Sequence, residues 1–220
     1  MQNNSLIVFP GWSYNQAQET LWEQNCKTIS HTKQVQLFQD TYNLDEFEDF
    51  NGILVTWSMG TWSGLKLLQT LNSFKPKAWI ALAPFTDFCT QENQYQKQVD
   101  LLLASFEKDP FKTIQLFRRK NNQDKTEEEF YQEDLQSFQA SLQYLKGPCP
   151  YSSKFEQPLL TLHGKKDRLI TEKMSKDFSS SFTHSTHLEL EDHHHHLLYP
   201  TSEVVTKHCL SFIKKVSDAS

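Results

Sequence analysis

Short apolar runs recur along this chain, and most stop at a turn residue. Leu6–Phe9 stops at Pro10-Gly11, Gly52–Thr56 runs into Trp57-Ser58-Met59-Gly60, Ala78–Leu82 stops at Ala83-Pro84, and Leu159–His163 stops at Gly164. Val35–Phe38 precedes an acidic loop, and His187–Leu190 runs into a block of histidines. Runs of this length bounded by turn formers read as strands. Longer amphipathic stretches lie between them and predict helices over Gln16–Asn25, Thr61–Leu71, Glu172–Phe182 and Ser202–Val216. The last of these sets Val205, Cys209, Phe212, Ile213 and Val216 on one face. Strands that alternate with helices predict an α/β fold: a mostly parallel sheet of about six strands, flanked by helices. Sheets of this kind gather their chemistry at the C-terminal strand ends.

The alternation lapses between about residues 85 and 157. No strand pattern occurs there, and the spacing is helical at Val99–Phe106, Phe111–Phe117 and Phe130–Leu145. Strands resume afterwards, so the segment is expected to be a helical insertion over the sheet edge. A connection this long suits a lid over a site, with a purely stabilising helical subdomain as the alternative. The short acidic run Glu127–Glu129 reads as a solvated helix start.

Composition narrows the picture further. At 220 residues the chain matches one domain spanning 1–220. Its net charge of −5 and lack of a long basic stretch exclude a nucleic-acid partner, which requires a concentrated Lys/Arg surface. Sixteen Phe and five Trp point to aromatic filling of the core and of any pocket. No run resembles a signal peptide or reaches the length of a membrane span, so a cytoplasmic protein without a membrane partner is expected. Cys26, Cys89, Cys149 and Cys209 are scattered without metal-ligand spacing.

Candidate chemistry falls on the predicted strand ends. Ser58 follows an apolar run and precedes Gly60 by two residues, the pattern of a nucleophile elbow. A serine needs a base, and the base needs a carboxylate to orient it. Asp167 lies just past Leu159–His163, and His193 follows the last strand, in the chain order Ser, Asp, His. His194 is the alternative base and Asp87 the alternative acid. Four adjacent histidines, His193–His196, could also suggest a metal, but adjacent residues rarely converge on one ion, so no metal is expected. The oxyanion hole is assigned to the backbone N–H groups of Met59 and Trp12, with Gly11 allowing close approach. The rings of Trp12 and Trp57 are expected to line the acyl pocket.

These residues carry a resemblance. Phe9-Pro10-Gly11-Trp12-Ser13-Tyr14-Asn15, Trp57-Ser58-Met59-Gly60 and Leu160-Thr161-Leu162-His163-Gly164-Lys165-Lys166-Asp167 resemble the pimeloyl-[acyl-carrier protein] methyl ester esterases of biotin synthesis. The likeness extends thinly over nearly the whole chain, through Thr113–Phe117 and Ser141–Lys146 to His193 and Pro200. It implies the α/β-hydrolase fold, a serine carboxylesterase without cofactor, and an acyl-carrier protein as partner. It also implies that Phe117, Arg118, Arg119, Lys120 and Asn121 line the substrate channel, with the arginines holding a phosphate. The chain departs from the family at Thr56, where a small residue is usual, and at Pro10, where many relatives have His. Its first strand also lies closer to the start than in longer relatives. Glu127–Glu129, Glu133 and Asp134 would oppose an acidic carrier if they shared its docking face.

The expected activity is hydrolysis of the pimeloyl methyl ester through a Ser58–His193–Asp167 triad and an acyl-enzyme. Another acyl hydrolase on the same triad, a thioesterase or short-chain carboxylesterase, is the alternative. A non-catalytic hydrolase-like binding protein is the third reading.

Overall fold

The computed structural model describes residues 4–13, 29–34, 47–89, 93–121, 132–147, 155–197 and 202–218. Six strands form one sheet in the order β2-β1-β3-β4-β5-β6: β1 Asn4–Phe9, β2 Ile29–Gln34, β3 Ile53–Trp57, β4 Ala78–Leu82, β5 Leu159–Gly164 and β6 Ser185–Leu190. Every adjacent pair is parallel. The central strands β3, β4 and β5 are buried along their whole length, which is why they read as mainly apolar runs.

β2 runs through the polar stretch Ile29–Gln34, where no strand was expected. The strand expected at Val35–Phe38 lies outside the described residues. Among the described residues β2 pairs with β1, at the sheet edge, so no apolar run was needed to place it. The expected helix at Gln16–Asn25 also lies outside the described residues.

Alternation within the strands divides the core. Leu6, Val8, Ile53, Val55 and Ile80 face one side, with Leu160, Leu162 and the helix α6 residues Val205, Cys209 and Ile213 (α6 is Glu203–Asp218). Ile7, Phe9, Leu54 and Trp79 face the other, with Leu65 and Leu67 of α1 (Gly60–Thr70) and Phe178 of α5 (Glu172–Ser179). Each fully buried large apolar side chain contributes about 1.5–3 kcal/mol, so the two faces hold the sheet as a rigid base. Helix α5 ends three residues before its predicted limit, and Phe182 instead bridges to Phe155.

The insertion is helical as expected: α2 Asn93–Lys108, α3 Pro110–Lys120 and α4 Gln132–Tyr144. Pro110 opens α3, where its missing N–H costs nothing, and Asp109 caps the helix by accepting from Lys112 N–H at 3.0 Å. A third apolar cluster joins these helices to the sheet's C-terminal end. It combines Trp12, Met59, Trp62, Phe85 and Phe88 with Phe106, Ile114, Phe138 and Leu142.

Candidate active site

Ser58 sits between the end of β3 and the start of α1 with φ of 51°, a left-handed conformation uncommon outside glycine. Two hydrogen bonds hold this strained turn: Ser58 N–H donates to Leu82 O at 2.8 Å, and Ser58 O accepts from Thr61 N–H at 2.9 Å. Gly60 is required by contact. A Cβ there would lie 2.2 Å from Phe9 O and 2.6 Å from Pro10 O. The helix thus starts against the end of β1, beside the loop that carries Trp12. Thr56, the departure noted above, is accommodated: it is buried, and its Oγ1 accepts from Trp79 Nε1 at 2.8 Å.

Asp167 lies in the turn after β5, and both carboxylate oxygens are engaged. Oδ1 accepts from Leu169 N–H at 2.8 Å and Ile170 N–H at 2.9 Å, and Oδ2 pairs with His195 Nδ1 at 2.8 Å. The pair is almost fully enclosed, with the His195 side chain 4% and the Asp167 side chain 0% exposed. Burial by itself would raise the Asp167 pKa, but the His195 imidazole and the two backbone N–H groups outweigh it and hold the carboxyl below its ordinary value. An ionised Asp167 fixes the His195 tautomer with the proton on Nδ1, which leaves the Nε2 lone pair to accept a proton.

Asp167 therefore meets His195 and not His193, the expected partner. His193 Nε2 is hydrogen-bonded to Ser202 Oγ at 2.7 Å, and that hydroxyl also accepts from Val205 N–H at 3.3 Å. It supports the start of α6 rather than Asp167. His194, the alternative, turns its Nδ1 to Lys166 O at 3.1 Å. His196 stands edge-on to Trp57 with centroids 4.6 Å apart. The carboxylate paired with His195 Nδ1 is that of Asp167, where Asp87 was the alternative. Gly164 makes this arrangement possible, since a Cβ there would lie 2.4 Å from His193 O and 2.5 Å from His194 O.

Trp57 is also corrected. It was expected as a pocket wall, but it is buried in the sheet core and absent from the cavity lining. Its indole N–H donates to His195 O at 3.1 Å, so the residue before Ser58 holds the backbone of the histidine. A Cβ on Gly11 would lie 2.9 Å from the Trp57 ring, which ties the first loop to the same side chain.

Over Ser58 lies a cavity of about 530 Å³. Trp12, Met59, Phe85, Phe117 and Leu142 form part of its mainly apolar wall. Trp12 lies in this wall edge-on to Phe117, with 4.6 Å between ring centroids. Among the described residues, the backbone N–H groups of Trp12 and Met59 donate no backbone hydrogen bond. Lys120 and Asn121 line the cavity, as does Arg168, which sequence reading missed. The three recur, with Lys166, His194 and His195, around a small adjoining cleft.

The two arginines of α3 separate. Arg119 is exposed and is not among the lining residues. Arg118 is only 4% exposed, and its Nη2 donates to Ser13 O. The expected phosphate contact is thus not where Arg118 lies, because its guanidinium is used inside the protein. The acidic run Glu127–Glu129 falls outside the described residues.

No protein-family model matches the chain. No curated protein matches it significantly. Solved structures do resemble it. The esterase EaEST from Exiguobacterium antarcticum superimposes with a TM-score of 0.69 at 15% identity, over 97% of this chain and 92% of that one. A thermophilic esterase from Thermogutta terrifontis gives 0.64 at 12% identity, over 98% and 91%. The RedJ thioesterase of the prodiginine biosynthetic pathway in Streptomyces coelicolor gives 0.63 at 14% identity, over 94% and 85%. The fold is that of the α/β-hydrolases. Among the described residues, no helix is long and apolar enough to cross a membrane.

Proposed function

We propose that this protein is a serine acyl hydrolase acting through Ser58, His195 and Asp167. The observation that carries this reading is the buried Asp167–His195 pair, whose histidine carbonyl is held by the residue preceding a serine at positive φ under an apolar cavity. His195 Nε2 takes the hydroxyl proton as Ser58 Oγ attacks the acyl carbonyl, and the N–H groups of Trp12 and Met59 receive the oxyanion. The proton passes from His195 to the leaving alcohol or thiol as the tetrahedral intermediate collapses to an acyl-enzyme. Water, deprotonated by the same histidine, then attacks, and a free carboxylate leaves Ser58 restored. Each step needs only these side chains and water.

The finer proposal is a carboxylesterase that removes the methyl ester of pimeloyl-acyl-carrier protein in the cytoplasm, with methanol as first product. The motif resemblance supports it, and so does an apolar cavity of about 530 Å³ with Lys120 and Arg168 on its lining. A thioesterase is the second reading, favoured by the similarity in fold to the RedJ thioesterase. The test compares wild type with Ser58→Ala in two assays. Hydrolysis of p-nitrophenyl butyrate should vanish in the variant, and unchanged turnover would refute the acyl hydrolase assignment. Wild type alone should restore biotin-independent growth to a strain lacking its pimeloyl-ester esterase. Ester turnover without restored growth, together with faster release of acyl thioesters, would shift the assignment to thioesterase.

A further inference from the structure

Arg118 stands out as a buried cation outside the reaction just described. It is on α3, in the lid, yet its guanidinium reaches down to the first loop of the sheet domain. Nη2 donates to Ser13 O, and Nε lies 3.5 Å from Ser13 Oγ. Ser13 is itself fully buried and held at φ of 73°, where a serine is strained. One residue earlier, the Trp12 indole N–H donates to Phe138 O on α4 at 2.9 Å. Two consecutive residues of one turn are thus gripped by two different lid helices.

We propose that Arg118 is a positioning residue that makes the oxyanion hole depend on the lid. The inference rests on the acyl hydrolase reading, in which Trp12 N–H is one of the two oxyanion donors. That N–H belongs to the Gly11–Trp12 peptide, and a few tens of degrees of rotation in the turn through Trp12 and Ser13 would aim it away from the developing charge. A left-handed Ser13 lacks the intrinsic preference to hold its peptide in place, so the restraint comes from its partners. The Arg118 contact stabilises the Ser13 carbonyl in its observed direction, while the Trp12–Phe138 bond holds the ring on the preceding residue. Both restraints come from the insertion and neither from the sheet. An open lid would therefore leave Ser58 and His195 intact but the oxyanion hole unformed, and closure over an acyl chain would complete it. Such coupling would suppress attack by Ser58 on esters too small to hold the lid closed.

The test uses the full chain with Arg118→Lys, Arg118→Met and Arg118→Ala. A p-nitrophenyl butyrate assay should show kcat falling about 30-fold in Arg118→Met, with KM changed by less than about threefold. That loss lies below the 10²–10³ typical when a whole oxyanion donor is removed. Binding of a butyl trifluoromethyl ketone, which adds to Ser58 as an oxyanion, should weaken by about the same factor as kcat/KM. Binding of the unreactive methyl ketone of the same shape should not change. Arg118→Lys should recover part of the loss, and added guanidinium ion should recover part of it in Arg118→Ala at concentrations that leave wild type unaffected. Unchanged kcat and ketone affinity in folded variants would overturn the proposal and leave Arg118 a packing brace. A rise in KM alone would make it a substrate contact and overturn the proposal equally. If wild type neither hydrolyses the ester nor binds the ketone, the acyl hydrolase reading itself fails, which is a different result from variants that match an active wild type.

Discussion

The sheet end and the lid are built by different means. At the sheet end, backbone hydrogen bonds, close packing of glycines and buried side chains leave Ser58, Asp167 and His195 little freedom. Ser58 is tied to Leu82, Asp167 receives two backbone N–H groups, and His195 is held at its ring by Asp167 and at its carbonyl by Trp57. The lid joins that base through an aromatic cluster and the two bonds from Trp12 and Arg118. Leu101 and Leu116, which line the cavity from the lid, are 70% and 38% exposed. A rigid base suits bond-making that tolerates little misplacement, and a less restrained cover suits the choice of acyl group. Changes at the base should therefore remove chemistry, and changes in the lid should alter which substrates are used.

The sharpest test of this contrast lies within the histidine block. His195→Gln should lower kcat about 10³-fold or more, because it removes the base while keeping similar volume. His193→Gln should leave kcat within about threefold and cost about 1 kcal/mol of stability through the Ser202 contact. Equal kinetic losses would contradict the assignment made from the Asp167 pair. Gly60→Ala should be the most damaging change of a single methyl at the base, since its Cβ meets backbone oxygens at 2.2 and 2.6 Å. A cost of about 3 kcal/mol is expected, lowering Tm by roughly 6–12 °C in a calorimetric scan.

In the lid, Phe117→Ala should reduce kcat/KM about tenfold for eight-carbon p-nitrophenyl esters and much less for the acetate. A uniform loss across chain lengths would place Phe117 with the rigid base instead. The smallest expected effect concerns pH. Burial lowers the pKa of both His187 and His193, so the unfolded chain binds protons there more readily than the folded one. Stability should then be fully present above the ordinary histidine pKa of about 6.5 and decline as pH falls through that value toward the lower folded pKa values. Asp167, with its pKa lowered, adds stability that persists above about pH 3.9 and is lost only at lower pH. Tm measured from pH 7.5 to 5.5 should fall in wild type and fall less in His193→Gln.

How much was legible beforehand follows from what each element depends on. β3, β4 and β5 were found within one residue of their limits because a strand buried on both faces is mainly apolar. β2 at Ile29–Gln34 went unseen because an edge strand answers to no such requirement. The three lid helices emerged from spacing, and Ser58 and Asp167 from their positions just after buried strands. The choice among His193, His194, His195 and His196 left no trace in composition or period. Identical side chains in consecutive positions differ only in the direction each one leaves the backbone.

The sequence by itself determined a parallel α/β sheet, a helical insertion, and a serine, an aspartate and a histidine block in order along the chain. These depend on local periodicity and on residue order, both written in the chain. Only the tertiary structure decided that His195 meets Asp167, that Trp57 holds that histidine instead of facing the cavity, and that Arg118 points inward to Ser13. Those outcomes depend on how loops from distant strands cross, at Gly164 over His193 and at Gly11 over Trp57. A side chain's role is set by the atoms it meets, and those atoms lie up to 138 residues away.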